Sequence, residues 1–329
     1  MKQLVIAGVD VSKSTLDIFV RPLDQSVKIN NDVQGFKRWL KELKPLCPQD
    51  VNLMIVMEHT GKYSYCFESF LKSKSISYCK INALQIKRSL GMIRGKNDKI
   101  DAQRIAEYSW LRREILVADK PVAQEIKKLQ ELLSLRQKMV RDRSGYTCRL
   151  KEMMAAKICK ASDKMVKSQQ HLIGVLTNEI KMIENEIRSL IASHTALQKT
   201  CELLVSIKGI GLIIAAYMIG CTDNFRRFAN ARKFNCYAGL APFKHESGTS
   251  LKGRARVSHF ANKDAKALLN LGASSAIQFD EELKAYYQKR VAEGKRKMSC
   301  LNIIRAKLVA RMFAVVKRQT PYQPIFAAA

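Results

Sequence analysis

The 329-residue sequence has few of the features that mark membrane-spanning, secreted or disordered proteins. No segment approaches the ~20 uninterrupted apolar residues of a membrane-spanning helix, and the opening MKQLVIAGVDVSKS has neither the apolar core nor the cleavage site of a signal peptide. Only 7 Pro and 15 Gly occur, and there is no low-complexity tract. With 47% hydrophobic residues, the chain is expected to fold throughout and to be cytoplasmic, without a membrane partner.

Two further motifs are missing. The nine cysteines are scattered and include no C-x-x-C pair, which argues against a zinc site and indicates reduced, mostly buried thiols. The sequence also has no G-x-x-x-x-G-K-[ST] phosphate loop. Chemistry driven by nucleotide hydrolysis is therefore not expected.

Acidic residues are scarce, because 29 Asp and Glu stand against 58 Lys and Arg and leave a net charge of +29. Such self-repulsion does nothing for a compact fold and is typical of proteins that bind a polyanion. The excess is steepest in residues 201–329, which have 22 basic and 8 acidic residues. We expect the partner to be a nucleic acid.

Strand-like and helix-like runs alternate over the first ~110 residues. Strands are predicted at QLVIAGVDV, TLDIFVRP, QSVKIN, VNLMIVMEH and ISYCKIN, and helices at VQGFKRWLKEL, YCFESFLKSK and from about Asp98. This alternation predicts an α/β domain whose first and fourth strands are adjacent and buried on both faces. We assign this domain to residues 1–118.

The next segment, residues 119–200, has a heptad seam in which apolar residues recur at spacings of 4, 3, 4 and 3: Leu176, Ile180, Ile183, Ile187 and Leu190. The seam predicts long antiparallel helices or a coiled coil, with a break near residues 160–169. A hairpin within one chain and pairing between chains fit this pattern about equally well.

Residues 201–329 are predicted to be an all-α domain, interrupted by a loop-rich interval from Gly239 to Lys263. Long loops in compact domains are commonly functional. Near the start, Gly209 and Gly211 precede an apolar helix in SIKGIGLIIAAYMIG. This pattern fits a helix-hairpin-helix whose backbone N–H groups hold a phosphate, and it fits a simple helix–helix turn about as well.

Carboxylates lie at the ends of the two central strands, Asp10 at the end of the first and Glu58 at the end of the fourth. Asp98 and Asp101 then stand at i and i+3 of a helix, on one face. Four converging carboxylates would repel one another unless a hard divalent cation, Mg²⁺ or Mn²⁺, neutralised them. Each residue also has an ordinary explanation, as a turn former or as local charge balance in a basic segment.

Several blocks resemble a known family. GVDVSKSTLD, VMEHTGKY and GKNDKIDAQRIA resemble the three blocks of the RuvC-like (ribonuclease-H-like) domain in DEDD-type insertion-sequence transposases related to the Piv invertase. The segment FANARKFNCYAGLAPFKHESGTSLKGRARVSHFANKDAKALL is similar to the family's second conserved region. Two positions depart from the family pattern: Ala261 stands where glycine is frequent, and Lys266 where arginine is common.

The resemblance implies a recombinase that excises and inserts a mobile DNA element, guided by a structured non-coding RNA. It implies a Mg²⁺ site at Asp10, Glu58, Asp98 and Asp101, and a serine nucleophile at Ser247. It further implies a dimer or tetramer that acts on donor and target DNA, with sites shared between protomers.

Basic residues surround both implied sites and are predicted to contact nucleic acid: Lys96, Lys99 and Arg104 near the carboxylates, and Lys244, Lys252, Arg254 and Arg256 near Ser247. A Ser-Gly pair in a loop is also an ordinary turn, and Ser250 and Ser258 are the nearest alternative nucleophiles. Two other functions fit the sequence, a RuvC-like endonuclease and a scaffold that binds nucleic acid without chemistry.

Overall fold

The computed structural model describes residues 3–47, 51–59, 61–89, 97–247 and 251–323. The chain forms two compact units, Met1–Pro121 and Val122–Ala329. The finer division at residues 118 and 200 stays a prediction, because compactness does not show which segments fold independently. None of the helices in the described ranges combines the length and apolar character needed to cross a membrane.

The first unit is a five-stranded mixed sheet with helices on both faces. Its strands are β1 (Gln3–Val11), β2 (Thr15–Arg21), β3 (Gln25–Asn30), β4 (Val51–Glu58) and β5 (Ser77–Ile81). Their order is β3-β2-β1-β4-β5. Strand β2 is antiparallel to both of its neighbours, β1 and β3, whereas β4 is parallel to β1 and β5 is parallel to β4. The helices are α1 (Val33–Leu43), α2 (Tyr65–Ser73), α3 (Ala83–Ser89) and α4 (Asp98–Leu111). The predicted α/β class is confirmed, and α3 is an addition.

The two faces of the central strands pack against different helices. On one face, alternate residues of β1 such as Val5 and Val9 share a core with Phe36 of α1 and Phe67 of α2. On the other face, Ile6 and its neighbours pack against α4. Because successive side chains of a strand point to opposite faces, both faces need apolar residues, which explains the unbroken apolar runs of β1 and β4.

Helix α4 lies directly on the backbone of β1 and β2. A Cβ atom placed on Gly8 would lie 2.3 Å from the backbone nitrogen of Ala106 and 2.5 Å from the carbonyl oxygen of Ala102. Both alanines are fully buried, and they form a small cluster with Phe19. Phe19 is the residue of β2 that pairs with Gly8 of β1. Small residues on both sides therefore set the height of α4 above the sheet.

The second unit is mostly helical, which confirms the predicted all-α class of the C-terminal region. Its helices are α5 (Gln124–Ala155), α6 (Lys164–Ala192), α7 (Thr195–Val205), α8 (Leu212–Thr222), α9 (Ala231–Tyr237), α10 (Lys263–Phe279), α11 (Glu281–Ala292) and α12 (Lys297–Arg318). A single core joins buried residues of α5 and α6 to those of the later helices.

Helices α5 and α6 form an antiparallel pair within the chain. Ile180, Ile183 and Ile187 of the predicted seam are buried. An Arg136 Nη2 to Glu184 Oε1 ion pair of 2.6 Å joins the two helices. The break falls at residues 156–163, slightly before the predicted 160–169. The intrachain hairpin is thus observed, and pairing between chains stays a prediction.

The interval from Gly239 to Lys263 is not simply a loop, as the sequence had indicated. It contains an antiparallel hairpin of β6 (Pro242–Ser247) and β7 (Leu251–Val257), in which Ser247 pairs with Leu251. Hydrophobic periodicity did not reveal this hairpin because Lys, Arg, His and Glu occupy much of both strands.

Gly209 and Gly211 lie in the connection between α7 and α8. Gly209 has φ +92° in the turn between α7 and α8, and a Cβ there would lie 2.6 Å from the carbonyl oxygen of Gly272 in α10. Phosphate binding by this turn stays a prediction.

All nine cysteines are free, as expected. The expectation of mostly buried thiols is wrong, because Cys66, Cys148 and Cys236 lie on outward helix faces and only three of the nine are buried.

Candidate active site

The carboxylates of the first unit meet at the ends of β1 and β4. Val9 of β1 pairs with Met57 of β4, so Asp10 and Glu58, the next residues, are lateral neighbours on adjacent parallel strands. Side-chain alternation puts both on the same face of the sheet as Gly8, which is the face that α4 covers. The predicted adjacency of the two strands is confirmed.

Helix α4 brings the other two carboxylates to this face. Asn97 caps the helix by accepting a 2.8 Å hydrogen bond from the N–H of Ile100. Asp98 and Asp101 occupy the first turn, where the positive end of the helix dipole favours negative charge. Because Ala102 sits over Gly8, the turn before it extends toward Asp10.

The pKa of Asp10 reflects both its burial and its acidic neighbours. Burial has the largest effect and, with the neighbouring charges, raises this pKa from 3.8 to about 6. The charges act in the order Asp98, Asp101 and Glu58, and each opposes ionisation of Asp10. The structure therefore brings all four predicted carboxylates into one electrostatic cluster.

Sequence reasoning missed a fifth member of this cluster, Asp17. It pairs directly with Asp10 across β1 and β2, is 8% exposed, and has the smallest of the charge effects on the pKa of Asp10. Lys28 Nζ on β3 lies 3.2 Å from Asp17 Oδ2. The signal was present in the sequence, since a short turn between β1 and β2 sets which residues face each other.

These carboxylates are near one another without forming a coordination shell. Within the described ranges, no group of three or more His, Cys, Asp or Glu side chains is gathered tightly enough to hold a metal ion. The donor set nevertheless fits a hard divalent cation, because it consists of carboxylate oxygens. Such a cation would also remove the repulsion that raises the pKa of Asp10.

The basic residues predicted near this cluster have different positions. Arg104 Nη1 donates a 2.9 Å hydrogen bond to Asp101 Oδ1, one helical turn away, so it contacts the cluster itself. Lys99 is exposed on α4. Lys96 lies outside the described residues. Arg104 therefore balances an acidic neighbour in addition to any nucleic-acid contact.

Ser247 is the last residue of β6 in the second unit. Its side chain, and those of Lys244, Lys252 and Arg254, lie outside what the structure describes. Arg256 is exposed on β7 opposite Phe243, which is 49% exposed. Ser250 also falls outside the described residues. The roles of these residues stay predictions.

Ser258, the remaining alternative nucleophile, follows β7. Its hydroxyl oxygen accepts a 3.1 Å hydrogen bond from the backbone N–H of Phe260. A serine that accepts from an N–H two residues ahead forms a local turn. The geometry thus gives Ser258 a structural role.

Two family models match the chain. A DEDD-type IS110 transposase model, described as "Transposase", matches residues 7–157, and a model described as "Transposase IS116/IS110/IS902 family" matches residues 201–288. The first match contains all four predicted metal ligands, and the second contains Ser247. Together they cover most of both units.

Individual proteins agree with these matches. The chain is 24% identical over 326 residues to the "Pilin gene-inverting protein" of Moraxella bovis, covering 96% of each chain. It is 26% identical over 161 residues to the "Insertion element IS110 uncharacterized 43.6 kDa protein" of Streptomyces coelicolor, covering 49% of this chain and 38% of that protein.

Among solved structures, the chain is similar to "T. thermophilus RuvC in complex with Holliday junction substrate". The sequence identity is 12%, and the match covers 36% of this chain and 99% of that one. The TM-score is 0.26.

Proposed function

Since the chain belongs to the DEDD-type insertion-sequence transposases of the IS110 family, we propose that it is a site-specific recombinase that cleaves and rejoins DNA through a phosphoserine intermediate. The observation that carries the proposal is the cluster of Asp10, Glu58, Asp98 and Asp101 at one edge of the sheet. In a chain of net charge +29, such a concentration of carboxylates is unusual, because binding a DNA backbone requires positive charge and gains nothing from carboxylates.

The four carboxylates are proposed to hold Mg²⁺, with Mn²⁺ as an alternative. Bound there, the cation would supply positive charge to a leaving oxygen at a phosphodiester. The residues themselves position it: β1 and β4 fix Asp10 and Glu58, and the capped first turn of α4 fixes Asp98 and Asp101. Arg104 is proposed to hold the Asp101 side chain in position through their hydrogen bond.

Ser247 is proposed to be the nucleophile. Its Oγ forms a bond to phosphorus and loses its proton, while the bond from phosphorus to the leaving oxygen breaks and that oxygen takes up a proton. The products are a phosphoserine link and a free DNA hydroxyl. Attack by a second strand's hydroxyl on the phosphoserine reverses the step, so rejoining needs no nucleotide hydrolysis. This agrees with the absence of a phosphate loop from the sequence.

The proposed partners are donor DNA, target DNA and a structured guide RNA, bound by a dimer or tetramer. Support comes from the excess of Lys and Arg along the whole sequence, which exceeds what one local DNA contact needs. Sites that combine the carboxylates of one protomer with Ser247 of another are part of this proposal.

Replacing Ser247 tests the nucleophile. Ser247→Ala should abolish a protein–DNA adduct that survives denaturation, measured with a labelled recombination substrate in Mg²⁺. Ser299→Ala is the matched control, since it removes the same hydroxyl from an exposed position of α12 in the same unit and should leave the adduct. An adduct of undiminished yield in Ser247→Ala would contradict the assignment. Hydrolysed, unrejoined products without any adduct in the wild type would instead indicate a RuvC-like endonuclease.

Neutralising the cluster tests the metal site. Asp98→Asn and Asp101→Asn should each lower DNA cleavage in Mg²⁺ by on the order of 10²-fold or more. Glu42→Gln, an equal charge change on an exposed position of α1 across the sheet, should leave cleavage unchanged. Full cleavage by both Asp variants would rule out the metal role. If DNA binding were the only measurable activity of the wild type, the scaffold function would be favoured.

A further inference from the structure

The hairpin that carries Ser247 is attached to the helical core through two short arms. The outgoing arm is Gly239–Ala241, between α9 and β6, and the returning arm is Ser258–Asn262, between β7 and α10. Phe243 of β6 and Phe260 of the returning arm have exposed side chains, whereas Leu240 of the outgoing arm is buried in the helical core. Because both ends of the hairpin join the core through these arms, the contacts of the arms influence its direction.

The returning arm is held by Asn262, the N-cap of α10. Its Oδ1 accepts a 2.9 Å hydrogen bond from the Tyr217 hydroxyl and a 2.8 Å bond from the N–H of Ala265. Its Nδ2 donates to the Tyr237 hydroxyl at 2.9 Å, and its own N–H donates to the Tyr237 carbonyl oxygen at 2.9 Å. One side chain thus joins α8, α9 and α10 at the point where the hairpin returns.

The outgoing arm is held at two consecutive carbonyl groups. Lys266 Nζ on α10 donates a 3.1 Å hydrogen bond to the carbonyl oxygen of Gly239, and Asn302 Nδ2 on α12 donates a 2.8 Å bond to that of Leu240. Arg305 supports Asn302 by donating to its Oδ1 at 3.3 Å. A second Arg305 nitrogen donates to Asn270 Oδ1.

The two arms also touch each other. Gly239 has φ +64°, and a Cβ atom placed on it would lie 2.4 Å from the Cβ of Ala261. Both the backbone conformation and the contact exclude a side chain at this position. The arms therefore form one compact attachment.

The charges of this attachment are unusual for a structural contact. Arg305 is 4% exposed, and Lys266 is partly buried beside it. Within the described ranges, neither makes an ion pair or hydrogen bond with a carboxylate, and Arg305 Nε has no hydrogen-bond partner. Burying a cation without a carboxylate is costly, so stability alone is a poor explanation for this arrangement. Both cations are connected to the outgoing arm. Lys266 donates to the arm directly, and Arg305 donates to Asn302, which in turn donates to the arm.

We propose that Lys266, Asn302 and Arg305 are positioning residues that fix the direction of the hairpin, and with it the approach of Ser247 to the phosphodiester. This inference rests on the proposed function, in which Ser247 is the nucleophile. The residues act through the carbonyl groups of Gly239 and Leu240 and do not contact the reacting atoms.

Three variants separate positioning from folding. Lys266→Met removes the donor to Gly239 and should lower the rate of adduct formation at saturating DNA at least 10-fold. Lys266→Arg keeps a donor and should restore most of that rate. Asn302→Asp removes the donor to Leu240 but gives Arg305 a carboxylate, so it should keep or raise the melting temperature while also slowing adduct formation. DNA affinity should change less than about 3-fold in each variant, since one phosphate contact at most is affected.

Lys263→Met is the matched control, because it removes the same charge from an exposed position at the start of α10 and should leave the adduct rate unchanged. The inference is overturned if Lys266→Met and Asn302→Asp form adduct at the wild-type rate, or if their only defect is weaker DNA binding. If the wild type itself formed no adduct, the proposed function would fail first. The two failures are thus distinguishable.

Discussion

The sheet edge of the first unit and the hairpin of the second unit are built in opposite ways. At the sheet edge, Asp10 and Glu58 end strands that are buried on both faces, and α4 lies directly on β1 over Gly8. The hairpin, in contrast, is exposed at Phe243 and is held through hydrogen bonds at its base. A packed core fixes the carboxylates, whereas a few polar contacts fix the segment that bears Ser247.

This difference has an energetic consequence. The core under the carboxylates tolerates the burial of Asp10 and the repulsion from its acidic neighbours, which together raise the pKa of Asp10. The hairpin joins the helical core through its two arms, and the hydrogen bonds at these arms are proposed to fix its direction. Loss of packing at the sheet edge is therefore expected to lower both stability and DNA cleavage, whereas damage to the hairpin base is expected to slow the reaction more than it lowers stability.

The largest expected effect comes from Gly8→Ala. The new Cβ would lie 2.3 Å from the backbone of Ala106, so α4 must move or β1 must distort. We expect a loss of about 3 kcal/mol in the free energy of unfolding, together with loss of DNA cleavage as Asp98 and Asp101 are displaced. Denaturant unfolding of the full chain measures the first effect.

Gly145→Ala is the control for that experiment. Gly145 lies within α5, and a Cβ there would meet no atom within 4 Å. Alanine should stabilise this exposed helix position by about 1 kcal/mol. Equal stability of Gly8→Ala and the wild type would show that α4 does not rest directly on the strand.

A smaller effect is expected from Gly239→Ala at the hairpin base. The positive φ and the contact with Ala261 should together cost about 1 to 3 kcal/mol, and the adduct rate should fall more steeply than stability. Gly294→Ala is the matched control, because Gly294 also has a positive φ, +81°, but no neighbour within 4 Å. If both variants formed adduct at equal rates, the contact between the arms would have no role in the reaction.

The smallest expected effect is a gain, from Asp10→Asn in the absence of divalent cations. A carboxyl whose pKa is raised on folding favours the folded state below its ordinary pKa of 3.8, and that contribution is lost as pH rises through about 6. At pH 7.5 the amide should therefore stabilise the chain, by on the order of 1 kcal/mol once solvent screening of a partly exposed group is allowed for.

Thermal unfolding between pH 4.5 and 7.5 measures this gain. The melting temperature of Asp10→Asn relative to the wild type should rise with pH across that range. Adding Mg²⁺ at pH 7.5 should stabilise the wild type more than the variant and so reduce the difference. A pH-independent difference would show that the repulsion at Asp10 is not what limits stability.

Much of the first unit could be predicted because its signals are local. Apolar runs in β1 and β4 are long enough to require burial on both faces, and this placed Asp10 and Glu58 side by side. The i, i+3 spacing of Asp98 and Asp101 follows from helix geometry alone. Asp17 was missed because its partnership with Asp10 depends on pairing across the turn between β1 and β2.

The sequence by itself determined the excess of positive charge, most elements of the α/β unit and the four carboxylates proposed as metal ligands. Only the tertiary structure decided that α4 rests on Gly8, that Asp10 has a raised pKa, and that Lys266 and Asn302 hold the arm of the hairpin. The physical reason is the sequence separation of the interacting residues, because hydrophobic periodicity and turn chemistry act between residues that are close in the sequence. Burial, charge coupling and hydrogen bonds at the hairpin base join residues that are far apart in it.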